Sequence, residues 1–327
     1  MSILNNIESE IAALPPALRA EVLDFVQFVK QRHGLASLDA QILADAATSL
    51  ASGTPFTGRY AIRNHHLTVG ARVAGALAKR SSGAATLEEA SLTLHFTGSA
   101  GQSFGAVGVQ GMHLTLEGEA NDYVGKGLNG ADISIRPFHD ARYLGAGHLN
   151  MIIGNTVLYG ATGGTLFAAG QAGDRFAVRN SGACAVVEGV GNHACEYMTG
   201  GVVAVLGRAG RNFGAGMSNG IAYVFDENNT FASRVNHDMV LLAEFDTDDD
   251  ALLLLLLRSH IARTASARGR QLLDEWETTR NRWRKVKPRG AAEPVARIRD
   301  EWTERLAGQL DTPPNLPRVD VYSGAPK

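Results

Sequence analysis

The sequence predicts a mainly β protein built on a parallel β-helix, with α-helices flanking the coil at both ends. Of its 37 glycines, 27 lie between Gly98 and Gly220. In that segment, runs of five or six residues that alternate apolar side chains recur at intervals of 17 to 19 residues, each led by a glycine. A βαβ unit needs roughly 30 residues. The repeat therefore fits one turn of a coil, in which each strand pairs with its equivalent in the next turn.

The leading glycines are expected at the corners of the coil, where glycine supplies a positive φ and lets successive turns stack without a Cβ clash. These structural glycine corners are Gly111, Gly130, Gly147, Gly164, Gly182, Gly201 and Gly220. They predict about seven turns, which stack to roughly 30 Å at about 4.8 Å per turn. Between them lies a second short motif that begins with a polar or turn-forming residue: NDYVGKG, NTVLYGA, DRFAVRN, NHACEYM and RNFGAGM.

The N-terminal element, residues 1–36, is predicted to be helical. Pro16 suits the first turn of a helix, where its missing N–H has no intrahelical partner to lose, and Gly34 ends the pattern. Apolar residues at spacings of three and four form a stripe made of Leu18, Val22, Phe25, Val26 and Val29. We expect this helix, placed at 17–33, to contact a partner subunit or a second copy of the chain.

The entry segment, residues 37–97, is predicted to cover the first turn of the coil. A helix is expected over 38–51, then an extended piece from Arg59 and a short helix. The run from Ser91 to Gly98, SLTLHFTG, alternates apolar and polar residues and predicts a strand. The β-helix itself is assigned to residues 98–245.

Residues 246–290 are predicted to form C-terminal capping helices. Acids precede a run of six leucines, 252–257, which predicts a helix that is buried on all sides and packs across the final turn. A second helix is expected to follow, with Leu272, Trp276 and Trp283 on one face and Pro288 at its end. Residues 291–327 are predicted to hold an extra helix and a Pro-rich tail.

Composition excludes several classes of function. The net charge of -2 gives no footprint for nucleic acid or an anionic membrane. The start of the chain does not have the pattern of a signal peptide, and the longest apolar run, 251–257, is too short to span a bilayer. Two cysteines, Cys184 and Cys195, cannot ligate an iron–sulfur cluster alone. We expect two buried thiols in a reducing cytoplasm.

The motifs that could carry chemistry lack their context. The run AVVEGVGNHA, from Ala185, contains G-x-G-x-x-A, but neither the helix nor the acid of a dinucleotide site follows it. The ten histidines include no i, i+4 pair for a metal. Charged residues that recur near the turns predict either an ion-pair ladder or a binding surface: Asp122, Lys126, Arg179, Glu188, Glu196 and Arg211. We therefore predict no catalytic, cofactor-binding or metal-binding residue on this chain.

Several long motifs resemble one known family. They include TGSAGQSFGA (97–106), LEGEANDYVGKGL (116–128), HACEYMTGG (193–201) and GRNFGAGMSNGIAYV (210–224). These resemble the C-terminal GXGXG domain of the glutamate synthase large subunit. The resemblance implies a right-handed β-helix that has no catalytic residue and no cofactor and that holds the amidotransferase and synthase domains in register. The family's cysteine nucleophile, FMN barrel and cluster cysteines are missing here, and Ser2 follows Met1.

The resemblance implies a non-catalytic structural subunit of a split, glutamate synthase-like complex. Its partners would be glutamine amidotransferase-like and FMN synthase-like subunits, and FMN and an iron–sulfur cluster are expected only on those chains. The initiator Met and the extra N-terminal element suggest a free-standing subunit that can self-associate. Alternatives are a free-standing interaction scaffold, or the equivalent subunit of an N-methylglutamate synthase-like or formylmethanofuran dehydrogenase-like complex.

Overall fold

A computed structural model describes residues 10–16, 18–19, 21–23, 25–26, 37–81, 92–142, 144–290 and 292–311. The α-helices are α1 Leu38–Asp45, α2 Ala47–Ser52, α3 Ala71–Ser81, α4 Thr247–Thr264, α5 Ala267–Asp274, α6 Trp276–Thr279 and α7 Ala292–Asp311. The strands are β1 Phe56–Ile62, β2 Leu92–Ala100, β3 Met112–Ala120, β4 Asn129–Arg136, β5 Met151–Ile153, β6 Gly163–Ala172, β7 Ser181–Gly189, β8 Thr199–Val205, β9 Asn219–Phe225, β10 Val240–Ala243 and β11 Trp283–Pro288. Short 3-10 helices span Leu144–Leu149, Phe231–Arg234 and Arg280–Arg282.

A parallel ladder of strands forms the body of the protein and confirms the predicted β-helix of about seven turns. Strands β1, β2, β3, β4, β6, β7, β8 and β9 pair in that order, each with the next and all in parallel. Each of these strands is one rung of the coil. Because β1 and β2 pair in register over seven residues, the ladder begins upstream of the boundary expected at residue 98.

In one turn of the coil the chain leaves the ladder and returns, a segment here called the excursion. The prediction of a rung after Gly147 is therefore wrong. The leading glycines Gly130 and Gly164 are 34 residues apart (164 − 130), and the 3-10 helix Leu144–Leu149 lies between them. Strand β5 then rejoins the coil, where Ile153 pairs with Ala120 of β3 and Ala172 of β6. Strand β4 ends at Arg136, directly before Pro137, which has no N–H to continue the ladder. Two apparent 17-residue repeats are therefore a single turn.

The interior of the coil is a continuous apolar core. One column of inward side chains follows the register from rung to rung and is fully or almost fully buried: Leu94, Leu114, Ile133, Leu166, Ala185, Val203 and Ala222. At the first turn, Ile42 of α1 and Val73 and Leu77 of α3 join the same core. Helices of the entry segment therefore contribute side chains to this end of the interior.

The leucine helix α4 packs on the side of the coil and not across its final turn. Leu252, Leu253, Leu256 and Leu257 share a second core with outward side chains of β6–β9, among them Phe167. Leu254 and Leu255 are only half-buried. The expectation of burial on all sides is therefore wrong. The outer face of β6–β9 is apolar and can accept one face of the helix, whereas six consecutive leucines occupy more than one face.

A strand, not a helix, covers the last rung. The expected second helix ends at Thr279, and Trp283–Pro288 forms β11. This strand pairs antiparallel with β9, Trp283 opposite Phe225, and β10 pairs antiparallel with β11. The edge of β9 presents N–H and C=O groups that need partners, and this tertiary demand outweighs local helix propensity. Trp283 is buried against the Phe225 ring, with centroids 5.3 Å apart.

Among the described residues of the N-terminal element, positions 10–13 and those from 16 to 26 are helical. Leu18 and Phe25 of the apolar stripe are 42% and 65% exposed, and Val29 lies outside the described residues. Association through this helix stays a prediction. In the part of the chain that the structure describes, no helix has both the length and the apolar character that a membrane span requires.

Candidate functional site: the corner loops and the capped face

The leading glycines have different backbone requirements. The five with a left-handed φ are Gly111 (85°), Gly130 (109°), Gly164 (91°), Gly201 (83°) and Gly220 (91°). Gly182 has no such φ, but a Cβ there would lie 2.2 Å from the Thr162 carbonyl oxygen. Gly147 lies in the 3-10 helix of the excursion, so the structure does not place it at a corner.

A second type of corner recurs on six rungs of the coil, and the glycine pattern did not identify it. In His193–Tyr197, the first, third and fifth residues have φ of 59°, 58° and 54°. The same alternation occurs in Ser103–Val107, Tyr123–Gly127, Thr156–Gly160, Arg175–Arg179 and Asn212–Gly216. We call these six segments the corner loops. Glycine fills only six of their 18 left-handed positions, so glycine spacing alone could not reveal the alternation.

Alternating hydrogen bonds join the corner loops above and below. The backbone N–H of Tyr197 donates to the Ala215 carbonyl on the next rung, and that of Cys195 donates to the Phe176 carbonyl on the previous rung, both at 2.8 Å. Because successive left-handed residues direct their N–H groups to opposite neighbours, each loop is held from both sides. The corner loops therefore form a rigid edge of the coil.

A ladder of Asx side chains runs beside the corner loops. Asp122, Asn155, Asp174 and Asn192 each accept the backbone N–H at the equivalent position of the next rung, with distances of 2.7, 2.8, 2.7 and 2.9 Å. The residue before the recipient must be glycine: a Cβ on Gly173, for example, would lie 2.3 Å from Asn155 Oδ1. Asn155, Asp174 and Asn192 begin three of the second motifs, and Asp122 is the second residue of another, so these polar residues were the sequence signal for the ladder.

The Asx ladder gives a first prediction. Replacing Asp174 with alanine removes the acceptor for the Asn192 N–H and should lower the free energy of unfolding by about 1 kcal/mol. Asp174→Asn is the matched control, because asparagine serves at two other positions of the ladder and should retain nearly full stability. Chemical denaturation of both variants measures the difference. Equal loss in the two would show that the carboxylate charge, and not its acceptor oxygen, stabilises the turn.

Five of the six charged residues predicted near the turns lie on the rim formed by the corner loops or directly beside it, and one does not. Lys126 Nζ lies 5.6 Å from the Tyr123 ring centroid, and the Arg179 guanidinium lies 5.8 Å from that of Tyr197. Glu196 pairs with Arg175 at 3.4 Å. Asp122 belongs to the Asx ladder, Arg211 is exposed, and Glu188 is buried elsewhere. Within the part of the chain that the structure describes, the predicted ion-pair ladder is therefore confined to one pair on this rim.

Glu188 anchors the C-terminal helices to the coil. It is 1% exposed on the outer side of β7. Its Oε1 accepts a short hydrogen bond from Ser266 Oγ and lies 3.3 Å from His260 Nε2. Ser266 also caps α5, because its Oγ accepts the Gly269 N–H at 2.8 Å. Of the two roles predicted for Glu188, that in a binding surface is wrong, because α4 and α5 cover this part of the sheet.

A second charged cluster, here called the latch, joins α4 to the last strands. Asp249 is fully buried and accepts from Tyr223 Oη at 2.7 Å and from Lys285 Nζ at 2.5 Å. Burial and the neighbouring carboxylate of Asp249 hold the pKa of Tyr223 well above its usual value. Asp246 caps α4 and binds Arg299 of α7 at 2.9 Å. The latch therefore connects four elements that lie far apart in sequence.

The two cysteines do not suit a metal or a cluster. Burial raises the pKa of the Cys184 thiol to about 12 and raises that of Cys195 as well. Thiolates are the form that ligates metals, and these two are free thiols in separate cores. The described residues also contain no group of three or more His, Cys, Asp or Glu side chains that could hold a metal ion. After the strand with the G-x-G-x-x-A motif, a corner loop follows in place of a helix.

Comparisons with known proteins agree on one relationship. The model of the GXGXG motif family matches residues 39–289. "Ferredoxin-dependent glutamate synthase 2" of Synechocystis is 46% identical over 263 residues, 79% of this chain and 17% of that protein. "Glutamate synthase [NADPH] large chain" of Bacillus subtilis is 42% identical over 278 residues, 84% of this chain and 18% of the relative. "Glutamate synthase [NADH]" of Schizosaccharomyces pombe is 45% identical over 262 residues, which is 80% of this chain and 12% of the relative.

The chain thus spans less than a fifth of the length of each of these relatives. Their names specify three electron donors, ferredoxin, NADPH and NADH, yet their identities to this chain differ only between 42% and 46%. The degree of similarity in this region therefore does not distinguish one electron donor from another.

Proposed function

This chain belongs to the GXGXG motif family, and from that membership we propose that it is the non-catalytic β-helix subunit of a glutamate synthase-type complex. Partner chains would supply glutamine amidotransfer and FMN-dependent reductive amination of a 2-oxo acid. One observation carries the proposal: 79% of this chain matches only 17% of a glutamate synthase. We propose that the chemistry of such an enzyme lies in the remaining 83% of its length (100 − 17), which this region does not include.

The construction of the chain supports a structural role. The coil is stiffened by the corner loops, the Asx ladder and two cores, and its buried charged groups join one element to another. A rigid coil of this kind suits a spacer that holds two catalytic partners at a fixed separation. We propose that FMN and the iron–sulfur cluster reside on those partners, and that the complex is cytoplasmic, in keeping with two free, buried thiols.

Purification of the tagged chain from its native cells tests the proposal. We expect amidotransferase-like and FMN synthase-like chains to co-purify in fixed ratio, and the complex to form glutamate from glutamine and a 2-oxo acid. The isolated chain should be colourless and inactive with glutamine. Stoichiometric flavin on the isolated chain, or glutamine hydrolysis by it, would contradict the non-catalytic assignment.

The same purification separates the alternatives. A free-standing scaffold would co-purify with neither enzyme type. An N-methylglutamate synthase-like or formylmethanofuran dehydrogenase-like complex would contain the matching catalytic chains in their place. The glutamate synthase-type assignment is preferred because three relatives at 42–46% identity all carry that name.

A further inference from the structure

The fifth position of the corner loops forms a column on the rim of the coil. Along the six rungs this column reads Val107, Gly127, Gly160, Arg179, Tyr197 and Gly216, and every member has a left-handed φ between 51° and 68°. Three members are glycine, so the fold accepts glycine here. The other three are large side chains in a backbone conformation that glycine adopts without strain.

Burial does not compensate for this strain. Val107 and Tyr197 are 48% and 53% exposed, and Arg179 is exposed too. The Tyr197 ring does lie over Gly216, where a Cβ would be 2.4 Å from Tyr197 Cδ1, but half of its surface faces solvent. Hydrogen bonds to the next rung hold the backbone of all three residues in this conformation, but they do not require a side chain. Large exposed side chains at positions where glycine would serve without strain therefore point to a function.

We propose that this rim is a docking surface for an acidic protein surface on a partner chain of the complex. The inference rests on the proposed function and identifies the face of the coil through which this subunit holds its partner. Tyrosine and arginine, with tryptophan, are the residues enriched among the energetic centres of protein interfaces. Tyr123, which is 37% exposed, and Lys126 extend the same rim over Tyr159, whose ring centroid is 6.0 Å from Lys126 Nζ.

Charge determines the chemistry of the partner. Among the described residues, no acidic group lies within salt-bridge distance of Lys126, Arg179 or Arg211. The carboxylates nearby are already engaged: Asp122 and Asp174 accept backbone N–H groups of the Asx ladder, and Glu196 pairs with Arg175. Asp122 and Asp174 keep their charge, so the rim carries four cations, with Arg175 included, and three carboxylates. The three cations that have no salt-bridge partner among the described residues complement carboxylates on another chain.

Nucleic acid is the less favoured occupant. The chain as a whole carries a net charge of -2, and the rim is not the dense basic patch or stripe that marks a nucleic-acid site. From Val107 to Tyr197 the rim crosses five rungs, which is four steps and about 19 Å at roughly 4.8 Å per rung. That length suits one side of a contact between two folded proteins.

Glycine substitutions separate docking from folding. In the tagged chain, Arg179→Gly combined with Tyr197→Gly removes two anchors and relieves the backbone, so the melting temperature should stay the same or rise. We expect the amount of amidotransferase-like or synthase-like chain retained per tagged chain to fall at least tenfold. Lys126→Glu should also reduce retention, whereas the matched reversal Arg270→Glu, at an exposed position of α5, should leave it unchanged. Full retention by the double glycine variant would overturn the proposal.

A photo-crosslinking residue at position 197 identifies what touches the rim. A crosslink to an acidic segment of a co-purifying catalytic chain supports the proposal. A crosslink to a second copy of this chain or to nucleic acid, or no crosslink in an intact complex, overturns it and leaves the proposed function standing. If the unmodified chain co-purifies with no such partner, both proposals fail together, so the two failures are distinguishable.

Discussion

Replacing Gly201 with valine should lower the free energy of unfolding by more than about 3 kcal/mol, a large part of the stability of an ordinary domain. Two costs add at this position. The φ of 83° is a conformation that β-branched residues strongly disfavour. A Cβ would also lie 2.2 Å from the Ala183 carbonyl oxygen on the previous rung, and that oxygen belongs to a buried backbone segment that cannot move alone.

Three further alanine variants separate the two costs. Gly160 has a φ of 64° and nothing within 4 Å of a built Cβ, so Gly160→Ala measures the backbone strain, expected at about 1 kcal/mol. Gly182 has no left-handed φ but would clash at 2.2 Å, so Gly182→Ala measures the close approach. Gly308 lies in α7 with open space around it, and Gly308→Ala should stabilise by roughly 0.5–1 kcal/mol.

Equilibrium denaturation gives all four values. If Gly201→Val unfolds at the same denaturant concentration as the unmodified chain, the rungs must be able to move apart at this corner. The stacking of rungs would then not constrain the residue at position 201. If Gly160→Ala instead lowers the free energy of unfolding as much as Gly201→Val does, backbone strain alone accounts for the whole effect at Gly201.

The sequence revealed the coil because its period is set by local chemistry. Glycines such as Gly201 and Gly220 mark a position where a Cβ would clash with the neighbouring rung. Glycine therefore recurs from turn to turn, and its spacing in the sequence gives the period of the coil. The corner loops escaped detection for the opposite reason. Their left-handed positions hold residues such as Cys195 and Leu158 as well as glycine, because contacts from the two neighbouring rungs impose the conformation.

Elements that depend on distant partners were also mispredicted. Trp283–Pro288 has residues compatible with a helix, and only the open edge of β9 makes it a strand. The excursion after Pro137 was counted as a rung because Gly147 and the apolar run behind it imitate the repeat. For the candidate site, the sequence supplied the charged residues of the rim. It could not show that Glu188 faces α4 and α5, since that depends on which face of β7 those helices cover.

The last prediction concerns the latch, where Lys285→Met should lower the free energy of unfolding by about 3 kcal/mol. The substitution leaves Asp249, which is fully buried, without its closest cation, and an uncompensated buried charge is strongly destabilising. Asp249→Asn in the same background removes that charge. An asparagine Oδ1 can still accept from Tyr223 Oη, so the double variant should recover much of the loss. The recovery measures the coupling between the two groups.

An exposed ion pair on α7 provides the control for this cycle. Arg297 and Glu301 are 74% and 66% exposed and lie 3.7 Å apart, so Glu301→Ala should cost no more than about 0.5 kcal/mol. Denaturation of the unmodified chain, Lys285→Met, Asp249→Asn, the double variant and this control measures both effects under the same conditions. If Lys285→Met costs no more than Glu301→Ala, Asp249 must find another cation, for which Arg299 at 3.8 Å is the nearest candidate. The variant Lys285→Met/Arg299→Met would then show the full loss of stability. If this variant is also as stable as Glu301→Ala, the latch does not hold α4 to β9 and β11.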